Sequence, residues 1–114
     1  MFESPLTSEK LEAILSSLRT GLADLLGDQL EAVYLYGSHA RGDARPDSDI
    51  DILVVLREDF EYGQMLNLTS EFAWKLSLEN DVVVSLVFVS KGQFDRINTP
   101  FLLNIHREAV PVGR

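Results

Sequence analysis

The stretch Ile50 to Leu56 is apolar at every position but one, and it follows directly on the polar, turn-rich run Arg41 to Ser48, which carries Gly42 and Pro46. An apolar run of this length reads as a strand buried on both faces, so the chain must fold into layers that cover both sides of a sheet. The exception is Asp51, and Asp49 stands immediately before the run. In an extended chain, side chains at i and i+2 point to the same face with Cα atoms about 6.6 Å apart. The two carboxylates therefore converge at the entrance of a buried strand. Their mutual repulsion is relieved most simply by a divalent cation. Ligation by one or two carboxylates, completed by water and phosphate oxygens, is the set that suits magnesium.

The remaining periodicities supply the cover. Leu11, Ile14, Leu15, Leu18, Leu22, Leu25 and Leu26 recur at helical spacing after a hydroxyl cap at Thr7 or Ser8, and predict an amphipathic helix ending near Gly27. Ala32 to Tyr36 reads as a short strand that breaks at Gly37-Ser38. Met65, Leu68, Phe72 and Leu76 predict a second long helix within Phe60 to Glu79, despite Gly63. Val82 to Val89 reads as a third strand, entered through the turn-prone Asn80-Asp81. Short helices from the Ser90 cap to Ile97 and from Pro100 to Arg107, and a small edge strand over Ala109 to Val112, complete the chain. The order predicts an α/β (α+β) fold, a small mixed sheet with helices packed against it. Length and the lack of any linker or repeat predict a single domain over residues 1–114.

Composition narrows the partners. A formal charge of -8 repels phosphate backbones, which argues against direct nucleic-acid binding and favours a cationic protein partner. With no cysteine in the chain, a disulfide framework and a thiolate metal site are both excluded. The apolar runs are too short to span a membrane, and Met1-Phe2-Glu3-Ser4-Pro5 lacks the pattern of a secretory signal, so cytoplasmic residence is expected. A domain this small has little stability in reserve, which makes a homo- or hetero-oligomer plausible.

The loop before the two acids has chemistry of its own. Gly37 permits close approach of backbone to a ligand, Ser38 offers a hydroxyl and an amide, and a helix starting here would aim its positive end at an anion. Arg41, about one helical turn further on, can add a cationic fork to a triphosphate tail, or can pair with Asp43 or Asp47 on the surface. Asp43 and Asp47 themselves read as solvated turn residues, and His39 as a solvent-facing loop histidine. Tyr34 and Tyr36 are more suited to packing than to stacking on a base. Phe72 and Trp74 suit the core or a partner contact equally well.

Gly37-Ser38, the ten residues His39 to Ser48, and Asp49-Ile50-Asp51 resemble the Gly-Ser, ten residues, Asp-x-Asp hallmark of the minimal nucleotidyltransferases of the DNA polymerase β superfamily. Ala40-Arg41-Gly42 and Ser48 are similar to the longer form of that motif, and the tail Asn104 to Val110 resembles the family's C-terminal end. The resemblance implies nucleotide binding by Gly37, Ser38, Arg41 and Ser48, with Asp49 and Asp51 bridging two Mg2+ ions beside ATP as substrate. It also implies a third carboxylate on the following strand. Asp81 is the candidate for that catalytic and metal-binding role, although the family's acid could fall nearer the apolar Val83; Asp81, Val83 and Ser85 would share one strand face. Members of the family often pair with a helical HEPN protein, an RNase, as antitoxin, neutralising it by transferring AMP to a tyrosine, by tight binding, or by both. Two alternatives stand beside that expectation: a silent module acting by occlusion, and a small-molecule nucleotidyltransferase.

Overall fold

A computed structural model describes residues 7–113, so the reading of Met1 to Pro5 lies outside the described residues. Helix α1 spans Ser8–Leu26; Thr7 caps it by accepting from the Lys10 amide at 3.1 Å. Ile14, Leu18, Leu22 and Leu26 form its buried stripe, whereas Leu25 lies outside it and is exposed. Gly27, at φ 55°, ends the helix and opens a short 3-10 turn that leads into β1, Leu30–Tyr36. A one-turn helix α2, Ser38–Arg41, precedes β2 at Ile50–Leu56.

Helix α3 spans Tyr62–Asn80, capped by the Glu61 side chain on the Gln64 amide. Its inward stripe is Met65, Thr69, Phe72 and Leu76 rather than one that includes Leu68, which is exposed. Thr69 escapes a hydropathy reading because it is polar, yet it is buried with its hydroxyl donating to the Met65 carbonyl at 2.8 Å. Gly63 sits in the first turn, where its conformational cost is smallest. Strand β3, Val84–Ser90, runs into α4, Lys91–Arg96, through a reciprocal capping box between Ser90 and Gln93. Thr99 caps α5, Pro100–Glu108, with proline in the first turn, and β4 is the short Val110–Pro111.

The four strands lie in the order β3-β2-β1-β4. β1 is antiparallel to both β2 and β4, and β2 is parallel to β3, so the sheet is mixed as expected. Helix α3 makes the crossover that a parallel pair requires. Alternation along the strands divides the core in two. Ile50, Ile52, Val54 and Leu56 pack with Leu18, Leu22 and Met65 under α1 and α3. Leu53 and Val55 pack on the opposite face with Tyr34, Tyr36, Val87, Val89, Phe94 and Ile105.

One boundary departs from the sequence reading in a way that matters. β3 begins at Val84, two residues later than expected, because Asp81 takes the left-handed conformation (φ 52°, ψ 45°) that caps α3. The Val82 amide then donates to the Ser77 carbonyl at 3.2 Å and the Val84 amide to Ser77 Oγ at 3.0 Å. Those bonds hold the turn against the helix end, so Asp81 belongs to a helix cap and not to the strand face.

Candidate active site

The end of β1 and the starts of β2 and β3 meet at one end of the sheet, where the Gly37 turn lies against Asp51. Gly37 adopts φ 79°, a conformation that costs glycine little and other residues much. A Cβ at this position would also collide with Asp51 Oδ2. The turn backbone and the Asp51 carboxylate are therefore in close approach, leaving no space for a side chain between them. The Gly37 carbonyl accepts from the Ala40 and Arg41 amides at 3.1 and 3.0 Å, which winds α2, and Gly42 at φ 86° ends it after a single turn. With one turn the helix contributes little macrodipole. What the turn offers is a half-buried Ser38 at its first position, next to the glycine that approaches Asp51.

Asp51 pairs in register with Tyr36 of β1 on one side and with Ser85 of β3 on the other. It is half-buried, whereas Asp49, two residues before it on the approach to the strand, is exposed. Burial pushes the Asp51 carboxyl above the ordinary carboxylate range, and the negative charge of Asp49 adds to the effect; His39 and Arg41 oppose it. Asp49 is thus close enough for its charge to act on Asp51. Burial, and then the Asp51 charge, likewise raise the Tyr36 hydroxyl. The Tyr36 ring meets Phe101 edge-on at 5.5 Å, and Tyr34 stacks on Phe94 at 5.1 Å, so both tyrosines pack as the sequence suggested.

The loop residues divide between site and scaffold. Arg41 is exposed; its Nε donates to Asp43 at 3.3 Å and its Nη1 to Glu108 of α5 at 3.1 Å. Asp43 was one of its two expected surface partners, but Glu108 had no local signal in the sequence. The Ser48 hydroxyl accepts from the Arg45 amide at 2.8 Å, closing the turn that delivers Asp49. His39 is half-buried rather than solvent-facing, with Nε2 3.3 Å from the Ser48 carbonyl, so it ties α2 to the approach of β2. Phe72 joins the core, whereas Trp74 is 66% exposed.

Asp81 is exposed in its helix cap, and the described residues contain no cluster of three acids or histidines able to hold a metal. The structure thus brings the Gly37 turn against Asp51, with Asp49 close enough for its charge to act there, and among the described residues it does not draw Asp81 into a three-ligand group with the two acids. Ser85 is the residue paired with Asp51, and its only signal in the sequence is alternation with Asp81 and Val83. Two convergent carboxylates beside a turn with no space for a side chain suit a hard cation carrying phosphate oxygens as further ligands. Among the described residues no helix is long and apolar enough to cross a membrane.

The family model for the polymerase beta nucleotidyltransferase domain matches residues 22–96, a span that includes both the Gly37 turn and the two acids. A Methanocaldococcus jannaschii chain named as a protein adenylyltransferase is 36% identical over 87 residues, covering 75% of this chain and 77% of the relative. The solved structure of a minimal nucleotidyltransferase superposes with a TM-score of 0.64 at 27% identity, covering 95% of this chain and 98% of that one. A complex of tri-AMPylated Shewanella oneidensis HEPN toxin with MNT antitoxin shares the fold at a TM-score of 0.58 and 21% identity, covering 90% of this chain and 71% of that one. The site geometry, the matched span and these likenesses agree, and the chain belongs to the polymerase β nucleotidyltransferase family.

Proposed function

We propose that the protein is a magnesium-dependent adenylyltransferase that moves AMP from ATP to a hydroxyl of a cytoplasmic protein partner of the HEPN type, serving as that partner's antitoxin. The observation that carries the chemistry is the close approach of the Asp51 carboxylate to the Gly37 turn, with Asp49 two residues before it on the way into β2. The named activity of the archaeal relative and the composition of the Shewanella complex support the choice of AMP and of partner.

In this reading Asp49 and Asp51 hold the metal, the Ser38 hydroxyl and amide hold the triphosphate tail, and Arg41 can swing from its exposed ion pairs onto the same phosphates. Ser48 and His39 fix the loop that carries Asp49. Bound magnesium would neutralise phosphate charge and favour departure of pyrophosphate. The acceptor oxygen attacks the α-phosphorus, the bond from that phosphorus to the bridging oxygen of pyrophosphate breaks, and the hydroxyl proton is released to solvent. The chain's part is positioning: a rigid strand pair sets the acids, and the tight turn sets the phosphates. Incubating protein and partner with magnesium and ATP labelled in the adenine should label the partner. Asp49→Asn or Asp51→Asn should abolish the label. That the described residues hold no three-acid cluster favours a second reading, neutralisation by occlusion, which predicts inhibition that persists in both variants without label.

A further inference from the structure

We infer that Ser85 occupies the third side-chain position of this site, so that the metal faces two carboxylates and a neutral hydroxyl and is held tightly only together with nucleotide phosphates. The inference rests on the nucleotidyl-transfer reading above and specifies how that site loads. Ser85 is the β3 residue paired with Asp51. Adjacent strands lie about 4.8 Å apart, and paired residues present their side chains to the same face. The packing confirms the face: Leu53 and Val55, which follow Asp51 at alternate positions, share a cluster with Val87 and Val89, which follow Ser85 in the same way. Ile52, Val54 and Phe88 lie in the opposite cluster.

On the other side of Asp51 the paired residue is Tyr36, whose ring is committed to Phe101. Ser85, half-buried, is thus the neighbour of Asp51 with a small oxygen-bearing side chain. Asp81 precedes the start of β3 and is fixed in a left-handed helix cap by the bonds that Ser77 accepts. Exchanging a third carboxylate for a hydroxyl removes one negative charge from the site. Magnesium gives up its water reluctantly and is commonly held by one or two carboxylates plus substrate phosphates. Metal alone should therefore bind weakly here, and nucleotide should strengthen metal binding by the same factor by which metal strengthens nucleotide binding.

The test titrates Mn2+ against the whole chain, following the free-ion electron paramagnetic resonance signal, with and without a non-hydrolysable ATP analogue. Ser85→Asp should raise affinity for Mn2+ alone about tenfold or more, and should shrink the enhancement by nucleotide. Asp81→Asn should leave both unchanged. Because an added charge beside Asp51 can impair folding, Ser85→Cys provides a near-isosteric check in a chain with no cysteine of its own. With Cd2+ it should give an ultraviolet sulfur-to-cadmium charge-transfer band that Asp51→Asn removes, whereas Asp81→Cys should give none. A band from Asp81→Cys and not from Ser85→Cys would overturn the assignment. So would the lack of a band from either variant while Asp49 and Asp51 demonstrably bind Mn2+. Metal–nucleotide binding that survives Asp49→Asn with Asp51→Asn would instead remove the nucleotidyl-transfer reading beneath it.

Discussion

The two faces of β2 are built to different rules. Under α1 and α3, Ile50, Ile52, Val54 and Leu56 are almost wholly excluded from solvent among leucines, isoleucines and a methionine. The opposite face starts with Asp51, exposes part of it, and turns apolar only further along at Leu53 and Val55. One strand thus carries the main stability of the fold on one side and a pair of acids at the mouth of the other. The contrast shows how a small domain tolerates a charged site: burial on the first face offsets the cost of holding like charges together on the second.

The division can be broken from either side. If Asp51 holds a metal as proposed, Asp51→Asn should lower the proposed AMP transfer by at least about a hundredfold, the several kcal/mol that go with a lost metal ligand. The same change should leave the denaturant midpoint unchanged or raise it, because it removes a charge that burial and Asp49 both disfavour. A midpoint that falls with activity would mean that the acid is structural. Ile52→Ala, one residue away on the other face, should cost about 2–5 kcal/mol in urea unfolding, and the fraction that remains folded should bind nucleotide normally. Loss of nucleotide affinity per folded molecule would show that the two faces are not independent.

Gly37→Ala tests the join between them. Its positive φ and the collision with the Asp51 carboxylate predict a loss of about 1–2 kcal/mol in stability, together with weaker nucleotide binding by calorimetry. An unchanged affinity would show that the turn has room to relax. The smallest effect is expected at His39. His39→Gln or Ala should remove one tie to the Ser48 carbonyl, worth about 1 kcal/mol. It should raise the KM for ATP a few-fold with little change in kcat; a larger fall in kcat would place His39 in contact with the reacting groups.

Much of this was legible in the residues. The continuous apolar run gave β2 to the residue, and the helical stripes of α1 and α3 and the Ser90 cap of α4 were read correctly in kind. The break at Gly37 and the place of Asp51 at the mouth of β2 were legible for the same reason: they depend on a glycine conformation and on the start of an apolar run, both local. Local polarity also misled. Hydropathy favours Leu68, which faces outward, over the polar Thr69, whose hydroxyl is satisfied within its own helix and so can be buried. The strand after the Asn80-Asp81 turn reads as starting at Val82 because the valines are β-prone, whereas the cap that Asp81 forms on α3 delays it to Val84.

By itself the sequence determined which strand carries Asp51 and which glycine turn precedes it, since both follow from dihedral preferences and apolar patterning within a few residues. Only the tertiary structure decided what stands across from them. That Ser85 rather than Asp81 pairs with Asp51, and that Arg41 reaches Glu108, depends on the register of strands and helices far apart in the chain. Register is set by the fit of two distant apolar faces packed over one sheet, and periodicity within a single segment carries no information about that fit.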